Sequence, residues 1–428
     1  MNVHVAVAAK GFHPPWCDGI VSYSKGLLES LIVAKRNYLH LTITIYSSIR
    51  RRLVYVDNHD FMRFKGIVKS CDKFIYLTSG PSVREYLILV KALLEMLSLT
   101  DEQNCKILHA CDPDLLWKAI STIIKTCELH KKLNIIFHIN ALSSFRGLVR
   151  HTMLNRILKR LNIIFAFSSQ RLKRLHGIEQ CQQTIVIPPA INTHVLKRRR
   201  EEKAIERFIR LVIRTNSLCH SKAEKTFLSE SLRSADCIIT YIGPLSPERI
   251  PYRIVARSLA KIKHDYGVKP EFIAVFREGK SEYIKEFKNY MEKEGVENLI
   301  LTCNKLLSED EKALLFSLSP NTLFLYIPEP RPVNYPMVEP PISILEAMAC
   351  EARVLASMTV GLLDVIENRK NGFIIEKPYN DAELAETMYM AISSQGIGRS
   401  ARQTIEEKYS VETVAQLISH FYRKLYEK

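Results

Sequence analysis

The chain has 428 residues, of which 47% are hydrophobic and 25% charged, and its formal net charge is +16 at pH 7. This balance excludes a largely disordered chain and a small scaffold that depends on disulfides, and the length suffices for two domains of ordinary size. Because no stretch is apolar for the ~18 residues that a membrane span needs, we expect no transmembrane helix. The N-terminal stretch also lacks the features of a signal peptide.

Strand and helix patterns alternate along the first part of the chain. A buried strand at 3–9 runs into a Lys-Gly-Phe-His-Pro-Pro loop, and apolar residues at helical spacing predict a helix over 19–36. The next predicted elements are strands at 41–48, 106–113 (with its loop), 134–140, 162–169 and 184–192 (with its loop), and helices at 116–127 and 148–161.

The same alternation resumes after a charged stretch at 197–210. The predicted strands are 237–248 (with its loop), 270–276, 298–304, 321–328, 353–357 and 372–376. The predicted helices are 252–267, 281–295, 308–318, 343–350, 361–367, 380–394 and 410–427.

This alternation predicts an α/β fold with parallel sheets that are covered by helices on both faces. We expect two doubly wound domains, at 1–195 and 236–410. A charged linker or insertion is expected at 196–235, and a C-terminal helix at 411–428 could cross back to the first domain. Ligands of such domains bind beyond the carboxyl ends of the strands, so the cleft between the domains is the expected site.

Charge is unevenly distributed along the chain. Residues 1–195 contain 26 Lys and Arg against 13 Asp and Glu, a net charge of +13, whereas residues 236–428 contain 24 against 27. A basic first domain indicates that this part faces something anionic. The ten cysteines form neither C-x-x-C pairs nor zinc-finger spacings, so we expect reduced thiols in a cytoplasmic protein and no structural metal.

The most informative segment is EPPISILEAMACEARVLAS at 339–357, which KNGFII follows at 370–375. It places Glu339 in a proline-bracketed loop and Glu346 near the start of a helix. Carboxylates suit hydroxyl groups such as a ribose diol, through charge-assisted hydrogen bonds worth about 1.5–3 kcal/mol each. Taken alone, Glu346 also fits an acid that complements the helix dipole.

This segment resembles the C-terminal signature of the family-4 retaining glycosyltransferases of the GT-B architecture (glycosyl transferases group 1). The resemblance rests on Glu339, the run Leu345-Glu346-Ala347-Met348-Ala349 and Asn371-Gly372. Further matches follow in the family's order at His13-Pro14-Pro15, Asp18-Gly19-Ile20, 107–110, 137–138, 167–169, 185–189 and 241–249.

The resemblance implies two Rossmann-like domains facing each other across a cleft. It also implies transfer of a hexose, with retention, from a nucleotide-sugar donor to a glycan or lipid-linked acceptor. No metal ion or other cofactor is expected, because side-chain cations and backbone dipoles would neutralise the leaving diphosphate. With the basic first domain, it suggests a lipid-phosphate acceptor or peripheral attachment at the inner face of an anionic membrane.

Residue roles follow from the same resemblance. It assigns the ribose to Glu346, the donor sugar to Glu339, the diphosphate to Arg249 and to backbone amides at Gly19, and a place near the reacting centre to His138. His138 and Glu339 are thus the catalytic candidates. The other expected donor contacts are Gly243, Arg253, Ser343 and Leu345, and those expected on the acceptor side are His13 and Asp18.

Three other readings stay open. Pro244 stands where the family has a phosphate-binding cation, and the two glutamates are one residue closer than usual, which favours a non-catalytic member that binds nucleotide or a partner. Charge alone suggests a nucleic-acid-binding protein, but no motif supports this class and we expect no nucleic-acid partner. A nucleotide-sugar epimerase would use a similar cleft, yet nothing matches its acid–base residues.

Overall fold

The chain folds into two compact units. Our computed structural model describes residues 2–9, 12, 19–48, 58–77, 86–98, 105–111, 133–139, 163–176, 183–215, 222–279, 281–296, 298–302, 307–328, 340–376 and 380–427. Of these, the first unit contains the residues up to Asn192, residues 340–342 and the stretch from Lys408 onward. The second unit contains Thr193 to Pro328 and Ser343 to Glu407.

Each unit is built on one parallel sheet. The first sheet has the order β3-β2-β1-β4-β5-β6-β7 and the second β10-β9-β8-β11-β12-β13. In chain order the strands are β1 Asn2–Ala9, β2 His40–Ser48, β3 Lys73–Leu77, β4 Cys105–Ala110, β5 Leu133–Ile139, β6 Ile163–Phe167, β7 Gln183–Val186, β8 Cys237–Leu245, β9 Pro270–Gly279, β10 Asn298–Thr302, β11 Thr322–Tyr326, β12 Arg353–Ser357 and β13 Phe373–Ile375.

Helices connect and cover these strands. In chain order the described helices are α1 Gly19–Asn37, α2 Asn58–Ser70, α3 Tyr86–Ser98, α4 Gln170–His176, α5 Glu201–Thr215, α6 Lys222–Ser234, α7 Tyr252–Asp265, α8 Ser281–Lys293, α9 Glu309–Leu315, α10 Ile342–Ala349, α11 Asp381–Ser393, α12 Ile397–Lys408 and α13 Val411–Tyr426, with a 3₁₀ turn at Val360–Asp364.

The core of the first unit lies between its sheet, α1 and the C-terminal helix α13. Valines of β1 pack with apolar residues of both helices. Gly26 lets α1 approach the chain at Ala190, because a Cβ at this position would collide with the Ala190 carbonyl oxygen. Ile191 donates to the carbonyl of Tyr409 at 2.7 Å and accepts from Val411 at 3.1 Å. The C-terminal helix is therefore an integral part of the first unit.

The second unit begins earlier than the sequence indicates. We predicted a charged linker or insertion at 196–235, but most of this segment forms α5 and α6. The apolar face of α5, including Ile205 and Phe208, packs in the same core cluster as Ile238 and Ile273 of the sheet. The charged side chains lie on the opposite face of an ordinary amphipathic helix, which the charge run obscures in the sequence.

The doubly wound α/β architecture, with helices around two parallel sheets, is confirmed. The structure adds α2, β3, α3, α4 and α12, for which the sequence analysis made no prediction. The helices predicted at 116–127 and 148–161 lie outside the described residues. Among the described helices, none combines the length and apolarity that crossing a bilayer requires.

Candidate functional site

In the second unit the strand order reverses between β8 and β11, which are neighbours in the sheet. The carboxyl ends of parallel strands meet at one edge, and ligands of open α/β sheets bind outside this edge at the point of reversal. The loop that contains Arg249 follows β8, and α10, which carries Glu346, is the next described helix after β11. Two of the predicted donor contacts therefore follow adjacent strands.

Glu346 is a single carboxylate in an otherwise apolar helix. Pro340 and Pro341 precede α10, a position that proline favours because the first helical N–H groups have no acceptor within the helix. The Glu346 side chain is turned inward, and the residue is only 3% exposed. Nζ of Lys312 donates to its two carboxylate oxygens at 2.8 and 2.9 Å. Lys312, in α9, is itself only 9% exposed, so this ion pair is buried.

The helix that carries Lys312 is held firmly at its first turn. The hydroxyl of Ser308 accepts from the backbone N–H of Glu311 at 3.2 Å, and the Glu311 carboxylate accepts from the N–H of Ser308 at 2.8 Å, which forms a capping box. Asp310 accepts from Arg199 at 2.7 Å and from Arg207 at 2.9 Å. The basic run before α5 thus fixes α9 within the second unit.

The other end of α10 is fixed by Arg402 of α12. Its guanidinium donates to the carbonyl of Ala349 at 2.5 Å, and also to the carbonyls of Leu196 at 2.7 Å and Thr193 at 3.0 Å. A cation at a helix C-terminus complements the helix dipole and satisfies a carbonyl that has no partner inside the helix. The C-terminal end of the helix that carries Glu346 is therefore anchored to the body of the unit.

Gly243 lies near the end of β8, and Arg249 lies in the tightly packed loop that follows this strand. The hydroxyl of Tyr241 donates to the carbonyl of Pro244 at 2.7 Å, and burial raises its pKa well above the usual range. A Cβ at Gly243 would lie 2.7 Å from that hydroxyl, so glycine is required unless the tyrosine moves. Arg249 is half-buried, and its backbone N–H donates to the Ser246 carbonyl at 3.0 Å.

Arg253 already has protein partners. Nη2 of Arg253 donates to Oε1 of Glu286 at 2.7 Å, and the guanidinium lies 4.9 Å from the centre of the Tyr290 ring. The hydroxyl of Tyr252 donates to the other carboxylate oxygen of Glu286. These hydrogen bonds lower the pKa of the Glu286 carboxyl. A donor phosphate would have to compete with Glu286 for Arg253.

In the first unit, His138 on β5 lies inside a chain of buried side-chain hydrogen bonds. Tyr23 donates its hydroxyl proton to the Ile187 carbonyl at 2.7 Å, so it accepts from Nδ1 of His138 at 3.0 Å. Nε2 of His138 then accepts from Nδ1 of His109 at 2.8 Å. Nε2 of His109 accepts from the hydroxyl of Tyr422 on α13. With each group donating to the next, from Tyr422 through both histidines and Tyr23 to the Ile187 carbonyl, every side chain in the chain has a partner.

This chain keeps both imidazoles neutral. His138 is 1% exposed and His109 fully buried. Burial lowers the pKa of His138 to about 3, and burial together with the neighbouring ring lowers the pKa of His109 well below its usual range. Both ring nitrogens of His138 contact protein groups, so a substrate would have to displace Tyr23 or His109. The catalytic role of His138 stays a prediction.

The remaining predicted residues fall into two groups. Gly19 is the first residue of α1, Ser343 the second residue of α10, and Leu345 is fully buried in α10. His13, Asp18 and Glu339 lie outside the described residues. Within the described part of the chain, no three His, Cys, Asp or Glu side chains are grouped so that they could hold a metal ion.

Sequence reasoning missed the partners of its own candidates. Lys312 lies 34 positions before Glu346, and Tyr422 lies 313 positions after His109. The link between His109 and His138 was not predicted either. Lys312 is one position beyond the Ser308–Glu311 capping box, so the local sequence points to a helix start and gives no sign of a buried ion pair.

Residues 337–411 match the family model of glycosyl transferases group 1, the segment on which the resemblance was based. No curated protein matches the chain by sequence. Among solved structures, a Rickettsia africae glycosyltransferase superposes with a TM-score of 0.64 at 16% identity, over 99% of this chain and 98% of that one. Anabaena HepE in complex with UDP and glucose superposes with 0.60 at 15%, over 99% and 100%. Sucrose-phosphate synthase from Thermosynechococcus elongatus gives 0.60 at 13%, over 99% of each chain. At these identities the structures establish the shared fold.

Proposed function

We propose that this chain, whose residues 337–411 match glycosyl transferases group 1 and whose fold is GT-B, transfers a hexose from a nucleotide-sugar donor with retention at the anomeric carbon. The observation that carries the proposal is the buried carboxylate of Glu346. It lies inside the matched segment, on the helix that follows the strand-order reversal of the second unit. HepE, which shares the fold, was crystallised with UDP-glucose, and this supports a uridine donor.

The second unit offers the chemistry that such a donor needs. The Glu346 carboxylate would accept hydrogen bonds from the ribose hydroxyls, and Arg249 would neutralise part of the diphosphate charge as it leaves. Glu339 would bind hydroxyls of the sugar. With retention, the bond to the acceptor oxygen forms on the face from which the diphosphate departs. We propose that cations and backbone dipoles stabilise this leaving group without a metal ion.

A direct test is binding and turnover with UDP-glucose as the probe. We expect UDP-glucose or a related uridine sugar to raise the melting temperature, since a ligand that binds only the native state stabilises it. Glu346→Gln should lower nucleotide affinity by about ten-fold or more, the loss of one or two charge-assisted bonds. Sugar release or transfer should persist in EDTA. If Glu346→Gln binds UDP-glucose and the related uridine sugars and turns them over like the wild type, the proposal is wrong.

Binding without transfer is the second candidate function. Both ring nitrogens of His138 already contact protein groups, and Pro244 removes one expected cation. These observations favour a protein that recognises a nucleotide without transferring its sugar. One experiment distinguishes the two candidate functions. If nucleotide sugars raise the melting temperature but no donor is turned over with any acceptor, only the binding function remains.

We propose that the acceptor is a glycan or a lipid-linked saccharide, reached by the basic first unit. Residues 1–195 contain 26 basic and 13 acidic side chains, and each Lys or Arg near an anionic surface contributes roughly 1 kcal/mol of attraction. Vesicles with anionic headgroups should therefore sediment the protein better than neutral vesicles, and high salt should abolish the difference. Equal, poor recruitment by both kinds of vesicle would contradict a membrane-surface acceptor.

A further inference from the structure

We infer that Lys312 is a positioning residue for ribose recognition, because its ammonium donates to both oxygens of the Glu346 carboxylate and thereby fixes the orientation of that carboxylate. This inference rests on the proposed function, in which Glu346 binds the ribose diol. It adds a residue that no motif contains, on a different helix from the matched segment. The expected consequence is that Lys312 controls how well the protein distinguishes a ribonucleotide from a deoxyribonucleotide.

The geometry of the pair leaves acceptor positions on the carboxylate unused. A carboxylate has about four lone-pair directions, and Lys312 uses one on each oxygen, at 2.8 and 2.9 Å. The nearly equal distances place the ammonium symmetrically between the two oxygens. The remaining lone pairs can accept from the two hydroxyls of a ribose, so ligand and lysine can share the carboxylate.

The position of Lys312 is determined by the fold. The Ser308–Glu311 capping box sets the start of α9, and Asp310 is held by Arg199 and Arg207. Lys312 follows these anchors directly, on a turn that cannot shift without breaking them. Such rigid support is what a group that orients another group requires, whereas a flexible surface lysine would offer only charge.

Other charged groups lie near this end of α10 but do not replace the lysine. Arg402 contacts the Ala349 carbonyl and Glu406, and Arg199 contacts Asp310. Glu351 lies 3.8 Å from Arg198. Among the residues that the structure describes, Lys312 is the hydrogen-bond donor to the Glu346 side chain. Removing this ammonium would therefore release the carboxylate from its present orientation.

The inference predicts a specificity signature that a purely structural lysine would not produce. In the wild type, the oriented carboxylate accepts from the ribose hydroxyls. In Lys312→Met, the carboxylate loses the donor that orients it, whereas the proposed contacts to the diphosphate do not involve this carboxylate. The affinity for a ribonucleotide should therefore fall more than the affinity for a deoxyribonucleotide.

The test measures the affinity ratio of UDP to 2′-deoxy-UDP by calorimetry at one pH, a ratio in which the contacts common to the two ligands cancel. The wild type and Lys312→Arg, which keeps a cation that can donate to both oxygens, should give similar ratios. Lys312→Met should lower the ratio by about ten-fold, the loss that one charge-assisted hydrogen bond corresponds to. Lys312→Gln, which is uncharged but can still donate a hydrogen bond, should also lower the ratio and guards against misfolding of the methionine variant.

The control is Lys261→Met, which removes a half-exposed lysine that lies 3.9 Å from Asp381. It should leave the ratio unchanged. The wild-type ratio in Lys312→Met and Lys312→Gln, or an equal loss of affinity for both nucleotides, would overturn the inference. If the wild type and Glu346→Gln show the same ratio, the proposed ribose contact fails and the inference fails with it.

Discussion

The turn that ends α10 places a glutamate in a backbone conformation that glycine adopts far more readily. Glu351 has φ of 61°. Its N–H donates to the Met348 carbonyl at 3.0 Å, and the N–H of Ala352 donates to the Ala347 carbonyl at 3.1 Å. This pair of hydrogen bonds is a Schellman motif, which usually has glycine at the left-handed position.

Replacing this residue should therefore stabilise the protein. The left-handed conformation costs a non-glycine residue about 1–2 kcal/mol, a cost that glycine avoids. Glycine also has greater conformational freedom in the unfolded chain, which offsets part of this stabilisation. The ion pair between Glu351 and Arg198, at 3.8 Å, is partly exposed and contributes little. We expect Glu351→Gly to raise the free energy of unfolding by about 0.5–1 kcal/mol, measured from urea midpoints.

Helix α8 supplies a matched control. Gly295 has φ of 62° and the same two hydrogen bonds, from Val296 to Met291 and from Gly295 to Glu292, both at 3.0 Å. A Cβ at Gly295 would meet nothing within 4 Å, so Gly295→Ala should cost about 1 kcal/mol through backbone strain alone. A loss of stability in Glu351→Gly would mean that the side chain of Glu351 contributes more than its geometry indicates.

At the scale of helices and strands, local patterns predict the elements whose apolar residues recur with a clear period. The predicted helix at 19–36 and the predicted strand at 41–48 differ by one residue at an end from Gly19–Asn37 and His40–Ser48. The sequence analysis made no prediction for Tyr86–Ser98, because most residues of this helix are apolar and do not mark one face clearly. Glu201–Thr215 was hidden by its basic neighbours, although its apolar face covers the sheet.

The candidate site was predictable only in part, because its residues come from separate elements of the chain. The Glu346 motif is contiguous, so the sequence identifies it and the family model recovers it. The groups that set its chemistry arrive from other elements: Lys312 from α9 and Arg402 from α12. Single-sequence patterns contain no information about such pairings, because each partner looks locally like an ordinary charged residue of a helix.

At the scale of the whole molecule, chain order and spatial division differ. The chain leaves the first unit at Asn192, returns to it for a short stretch that includes residues 340–342, and returns again at Lys408. The returning helix α13 contributes Val414, Ile418 and Tyr422 to the core of the first unit, so this core is complete only when both ends of the chain have been made. The buried pair His109 and His138 depends on this return, because Tyr422 supplies the hydroxyl that satisfies His109.

The two buried histidines should make the stability of the first unit depend on pH. Burial lowers the pKa of His138 from its usual 6.5 to about 3. Between pH 3 and 6.5, His138 is protonated in the unfolded chain but stays neutral in the folded chain. The free energy of unfolding therefore falls as the pH falls below about 6.5, and His138 has little effect on it at higher pH. From pH 6.5 to 5, His138 alone should contribute a loss of about 2 kcal/mol.

Urea unfolding at pH 7.5 and 5 would measure this loss, with a probe in the first unit because two units need not unfold together. His138→Gln should be less stable than the wild type at pH 7.5, since His109 loses its acceptor, but should lose about 2 kcal/mol less on acidification. His420→Gln, which removes an exposed histidine of α13, should retain the wild-type pH dependence. Equal acid sensitivity of His138→Gln and the wild type would show that the histidine pair takes up protons without unfolding.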